Sequence, residues 1–234
     1  MTDLKGKKFV CFGDSITSDE VTGTGTRIAE LSQMELLGNF AHGNATASDW
    51  HSGDNILTRK NLDLPVNEWF ADNTLSNQIF KFLDVKNSLP DIIYIAIGIN
   101  DGRVEAYGDM TPVFDNCSRV FGKPLTRIGI ASALLWAVET LKRECPKAEI
   151  FAASPLQNSW TIEPGAFSEN VVLTKREVIK KVCGFCKIHF IDSYEKSGFT
   201  REIAALHGDG VHPDEEYRDK IAQFVIDEIK KAIK

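Results

Sequence analysis

The sequence predicts a doubly wound α/β domain. Two observations carry that expectation. Short apolar runs rich in Ile, Val and Phe recur along the chain, and longer stretches with helical spacing of apolar residues fall between them. Continuous apolar runs suit parallel strands buried on both faces. Strands alternating with helices suit a parallel sheet covered by crossover helices. A chain of 234 residues with no internal repeat, linker or composition shift reads as one domain over 1–234.

The first strand is Lys8 to Phe12. The next is Asp91 to Ile97 (DIIYIAI), the most apolar of the set, followed by Glu149 to Ala153 and Lys187 to Ile191. Helices fill the gaps. Thr74 to Leu83 and Val171 to Cys183 are short candidates. Arg127 to Glu144 is longer and puts Ile128, Ala131, Leu135, Val138 and Leu141 on one face. Pro213 to Lys234 closes the chain. Asp214, Glu215 and Glu216 stand at its start and Lys230, Lys231 and Lys234 at its end, which complements the helix dipole. Two long irregular stretches remain, about Trp50 to Asn73 and about Gly102 to Thr126. The second follows the Asp91–Ile97 strand and should rim the crevice at the carboxyl ends of the strands, where open α/β sheets bind ligands.

A net charge of −6 gives no general attraction for nucleic acid or anionic membrane, so neither is an expected partner. No apolar run approaches the roughly 20 residues of a membrane span. The apolar run Phe9 to Phe12 is too short for a signal-peptide core. Five scattered cysteines do not read as a disulfide framework. Together these give the expectation of a cytoplasmic protein.

Three stretches carry chemistry. The first strand runs into Gly13-Asp14-Ser15-Ile16-Thr17, which places Ser15 just past a glycine turn, where it can act as a nucleophile or cap a helix. Gly98-Ile99-Asn100-Asp101 directly follows the most apolar strand. An asparagine there can aim its amide N–H₂ into the crevice, as an oxyanion requires, or can simply make a turn. Near the carboxyl end stands His207-Gly208-Asp209-Gly210-Val211-His212-Pro213. A carboxylate three residues before an imidazole can hold it in one tautomer, and Pro213 can start the last helix.

GDSIT, G-x-N-D and D-x-x-H, in that order, resemble the blocks of the SGNH hydrolases, also called GDSL esterases and lipases. The resemblance spans nearly the whole chain. It implies a three-layer α/β/α sandwich of flavodoxin-like type and a serine esterase without a cofactor or metal. Ser15 would be the nucleophile, His212 and Asp209 its triad partners, and Asn100 an oxyanion donor, with the Ser15 main chain. The family's remaining block, N-x-x-x-x-G, supplies a main-chain donor. Here it is Asn39-Phe40-Ala41-His42-Gly43-Asn44, so Asn44 fills the glycine position and Gly43 comes one residue early. Either could donate, because asparagine tolerates left-handed backbone angles. The substrate expected is a small-molecule or carbohydrate ester with a short acyl group, an O-acetyl group on a sugar being one candidate. A lysophospholipid or a thioester is the alternative.

Gly23-Thr24-Gly25-Thr26 lacks the lysine of a phosphate loop and reads as an ordinary loop. Cys183 and Cys186 have metal-like spacing without a second pair, so they read as buried thiols. His42, His51, Trp50 and Trp160 fall on crevice loops, and Trp50, Trp160 and His42 are candidate substrate contacts. Lys175-Arg176 and Lys180-Lys181 read as a solvated helix face. Competing functions are a metal phosphoesterase using Asp14, Asn100, Asp209 and His207 or His212, and a non-catalytic module on the same fold.

Overall fold

The computed structural model describes residues 3–48, 74–101, 127, 129–160 and 167–233. In chain order the elements are β1 (Lys8–Gly13), α1 (Thr24–Ser32), β2 (Glu35–Asn39), α2 (Leu75–Val85), β3 (Ile92–Ala96), α3 (Ile130–Glu144), β4 (Glu149–Ala153), α4 (Glu169–Cys186), β5 (His189–Ile191), α5 (Ser193–Lys196), α6 (Arg201–Leu206) and α7 (Glu215–Ala232). The two long irregular stretches, with Trp50, His51 and Cys117, lie outside the described residues, as does Ile128.

The described strands form one parallel sheet in the order β2-β1-β3-β4-β5. The chain starts near the middle, moves to one edge and then returns to build the other side. That reversal puts a topological switch point between β1 and β3, whose register pairs Phe9 with Ile92 and Gly13 with Ala96.

Alternation along each strand divides the core in two. Val10, Phe12, Ile93 and Ile95 face one side, where they meet Leu75, Ile79 and Phe82 of α2, Leu134 and Val138 of α3, and Val178 and Val182 of α4. Phe9, Cys11, Ile92 and Tyr94 face the other, against Ile28 of α1 and Val225, Ile226 and Ile229 of α7. This is the three-layer sandwich expected, produced by the two-residue period of strand side chains. Phe9 and Phe12 are fully buried on opposite faces, and truncating either to alanine should cost about 3–5 kcal/mol.

Several boundaries differ from expectation for local reasons. Asp214 caps α7 by accepting from the Tyr217 N–H at 3.0 Å, so Pro213 stands outside the helix instead of starting it. Thr74 caps α2 in the same way through the Asn77 N–H. The edge strand β2 is only partly buried and carries Gly38, so it lacks the apolar run that marked the others. The Gly23–Thr26 stretch is not an ordinary loop: α1 begins at Thr24, with Gly23 in left-handed conformation before it. Gly25 lets that helix close onto β1, since a Cβ there would stand 2.6 Å from the Cys11 sulfur. Helix α4 continues through Cys186, with Cys183 buried and Cys186 partly so, and the four described cysteines are free thiols.

Candidate active site

Ser15 sits just past the carboxyl end of β1, in a turn closed by Thr17 N–H and Ser18 N–H on the Asp14 carbonyl. The strand end is held from α2. The Gln78 side chain accepts from Gly13 N–H at 2.9 Å and donates to Gly13 C=O at 2.8 Å, both bonds buried. Gln78 is a site residue that the motifs did not mark. Its signal was a polar side chain on the apolar face of α2, between Leu75 and Ile79.

The Ser15 hydroxyl lies 2.8 Å from His212 Nε2. On its other side the His212 ring meets Asp209 Oδ2, 2.8 Å from Nδ1. The tautomer that serves both contacts carries its proton on Nδ1, donates it to Asp209 and leaves Nε2 to accept from Ser15. Asp209 Oδ1 also accepts from the Val211 and His212 N–H groups at 3.0 and 2.8 Å. Partial burial opposes ionisation of this carboxyl, but those N–H groups and the ring outweigh it and hold it down at about 2. The loop itself needs Gly210, whose φ is +100° and whose missing side chain leaves room for Trp160.

His207 is turned away from Ser15. Its Nδ1 pairs with Asp214 Oδ2 at 3.0 Å and its ring lies 4.5 Å from that of Tyr217. Among the described residues, no three His, Cys, Asp or Glu side chains come together as a metal site.

The N-x-x-x-x-G region follows β2. The His42 N–H donates to Gly13 C=O at 3.2 Å, which ties this loop to the end of β1. Asn44 has φ +58°, whereas Gly43 has no positive φ, so Asn44 takes the conformation that a glycine would favour. The N–H groups of Ser15, Gly43 and Asn44 bond to nothing among the described residues. Asn100, after β3, donates one amide N–H to Ala45 C=O at 3.0 Å and has a second to offer.

Asp101 is buried, and accepts from Ala47 N–H, Ser48 N–H and the Ser48 hydroxyl at 2.8, 3.0 and 2.7 Å. Asp14 is also buried, at 4% exposure. Burial pushes its carboxyl up to about 7, against the Ile16 N–H and the nearby His212.

Of the expected substrate contacts, Trp160 is 40% exposed and donates its indole N–H to Asp209 C=O at 2.7 Å. The His42 ring is hydrogen-bonded through Nδ1 to Gly43 C=O at 2.9 Å. Trp50 lies outside the described residues. The solvated lysine face is corrected in part. Lys180 and Lys181 are exposed, but Lys175 is fully buried and Arg176 is paired with Asp192 through two bonds of 2.7 and 2.6 Å.

The family model of GDSL-like lipases and acylhydrolases matches residues 11–217. The chain belongs to the GDSL-like lipase/acylhydrolase family. It is accordingly an ester-bond hydrolase, and all three of its motif blocks lie within the matched span. A search of curated proteins finds no match. Among solved structures, a Lactobacillus plantarum protein is similar at TM-score 0.69 and 16% identity, covering 98% of this chain and 99% of that one. A lipase/acylhydrolase from Enterococcus faecalis is similar at TM-score 0.58 and 16% identity, covering 97% of each chain. An acetylxylan esterase from Geobacillus stearothermophilus gives TM-score 0.55 and 15% identity, covering 96% of this chain and 94% of that one. These likenesses establish the shared fold. No described helix is long and apolar enough to cross a membrane.

Proposed function

We propose that this GDSL-family hydrolase removes a short acyl group from an alcohol, an O-acetyl group on a carbohydrate, through a Ser15–His212–Asp209 triad. The observation that carries the reading is the unbroken pair of 2.8 Å contacts from Ser15 Oγ to His212 Nε2 and from His212 Nδ1 to Asp209 Oδ2.

His212 takes the hydroxyl proton as Ser15 Oγ attacks the ester carbonyl, and Asp209 stabilises the imidazolium. Negative charge develops on the carbonyl oxygen. The free N–H groups of Ser15 and of the Gly43–Asn44 turn, with the second Asn100 N–H, would receive it. The imidazolium then protonates the leaving alcohol. Water, activated by the same histidine, releases the acyl group and restores Ser15.

Support for a carbohydrate ester comes from the acetylxylan esterase among the similar folds and from the half-exposed Trp160 ring beside Asp209, a surface on which a sugar can stack. Lipases stand among the same neighbours, so chain length of the acyl group is the property to measure. Nitrophenyl acetate, butyrate and palmitate should be assayed beside acetylated xylo-oligosaccharides and a fatty-acyl thioester. Preference for acetyl esters is expected. A preference for palmitate or for the thioester would overturn the substrate assignment, and full activity of Ser15→Ala would overturn the triad.

A further inference from the structure

Lys175 has the side chain least expected where it lies. It belongs to α4 and is fully buried, on the stripe that also carries Val172, Val178 and Val182. Its ammonium donates to Ile99 C=O at 2.7 Å. Ile99 is the residue before Asn100, and its N–H lies close enough to the Asp14 carboxyl to favour the charged form of that group. The Ile99 carbonyl is thus held by Lys175 behind the sheet end, while the Asp14 carboxyl, next to Ser15, lies near its N–H.

The residue after Asn100 is gripped as well. Asp101 lies close enough to Lys175 for each to bias the other's charge, and its carboxylate binds Ala47 and Ser48. That segment follows Asn44 and Ala45 with one residue, Thr46, between. One buried cation therefore stands behind a turn that joins the nucleophile strand, the Asn100 donor and the Asn44 loop.

We propose that Lys175 is a positioning residue of the oxyanion hole, a buried cation that fixes the Ile99–Asn100–Asp101 turn so that Asn100 presents its free N–H to the reacting carbonyl. The inference rests on the esterase reading above. Its physical basis is twofold. A donor displaced by an ångström loses much of its value in the transition state. A positive charge in a dry site also favours the negative charge that develops on the substrate oxygen.

Burial lowers the Lys175 ammonium to about 8, while the charges of Asp101, from the turn after β3, and Asp14, from the turn after β1, act to raise it. The charged form is the one present below that value, so turnover should decline as pH rises through it.

The test is Lys175→Met, assayed with nitrophenyl acetate. Rates are expressed per site titrated by a fluorophosphonate, so that loss of folded protein is not counted as loss of rate. The expected result is a fall in kcat of roughly tenfold or more with KM within about twofold. The alkaline decline of the wild type should disappear in this variant and persist in Asp14→Asn. If Lys175→Met does not fold, Lys175→Met/Asp101→Asn removes both members of the Lys175–Asp101 pair and is compared with Asp101→Asn. Wild-type kcat in Lys175→Met, a kcat for the double variant equal to that of Asp101→Asn, or an unchanged alkaline decline overturns the role. Absence of wild-type hydrolysis and of Ser15 labelling would instead overturn the esterase reading, and this inference with it.

Discussion

The Asn100 side chain donates to the Ala45 carbonyl at 3.0 Å, one residue beyond Asn44. The side-chain donor and the main-chain donors of the proposed oxyanion hole are therefore fastened to each other. One amide N–H ties the two loops together, and in the proposed hole the other is left for the substrate oxygen.

Asn100→Ala removes both roles. The expected result is a kcat lower by roughly 10²–10³-fold with little change in KM, the size typical of one lost oxyanion donor. Steady-state kinetics on nitrophenyl acetate measures it. A proportionate rise in KM at constant kcat would place Asn100 in ground-state binding instead.

At Asn44 the left-handed backbone decides the outcome. Asn44→Gly should keep most activity, because glycine adopts φ +58° freely and retains the N–H. Asn44→Ala should be less stable than Asn44→Gly by about 1–2 kcal/mol, the cost of holding a side chain with a Cβ in that region. Thermal melts and kcat of the two variants decide the matter. Activity lost equally in both would assign the asparagine side chain a role of its own.

Ser15 and His212 should act as one unit. Ser15→Ala/His212→Ala should be little slower than either single variant, since each removes the same proton-transfer step. His207→Ala should be mild for rate, because His207 is bonded to Asp214 and not to Ser15. Independent, multiplying losses would break the triad. Asp209, held at about 2, is a carboxylate throughout the neutral range and should add no inflection there.

Asp14 makes stability depend on pH in an unusual direction. Its folded value, about 7, stands above the ordinary 3.8, so the folded state binds a proton that the unfolded state has already lost. Between those values stability falls as pH rises. The contribution reaches roughly 4 kcal/mol at most. Urea melts across that window should show the wild type weakening relative to Asp14→Asn. Parallel curves for the two proteins would rule out the titration of Asp14.

The layers and strands of the sheet centre were legible because burial on both faces leaves an apolar run, as in Ile92–Ala96. Strand β2 was not, since an edge strand is half-exposed and Glu35–Asn39 carries no such run. Helix α1 hid behind Gly23 and Gly25, which read as a loop although one precedes the helix and the other lets it touch β1. The residues of the proposed triad were legible from motif order alone. Gln78 and Lys175 were obscured by polarity. Each occupies a position on an apolar helical stripe, and only the partner across space, Gly13 or Ile99, explains a polar group there. The spacing Val172, Lys175, Val178 could have exposed the second.

The two contacts of His212 differ greatly in chain distance. Asp209 is three residues away, while Ser15 is 197 residues away. A single turn before α7 can form the His–Asp pair, but bringing it to Ser15 requires the first strand and the last helix to be in place together. If the proposed triad acts, hydrolysis reports that β1 and the turn before α7 have come together. Under the proposed triad, an unfolded chain holds Ser15 apart from the imidazole that would take its proton, so ester cleavage waits until the architecture closes.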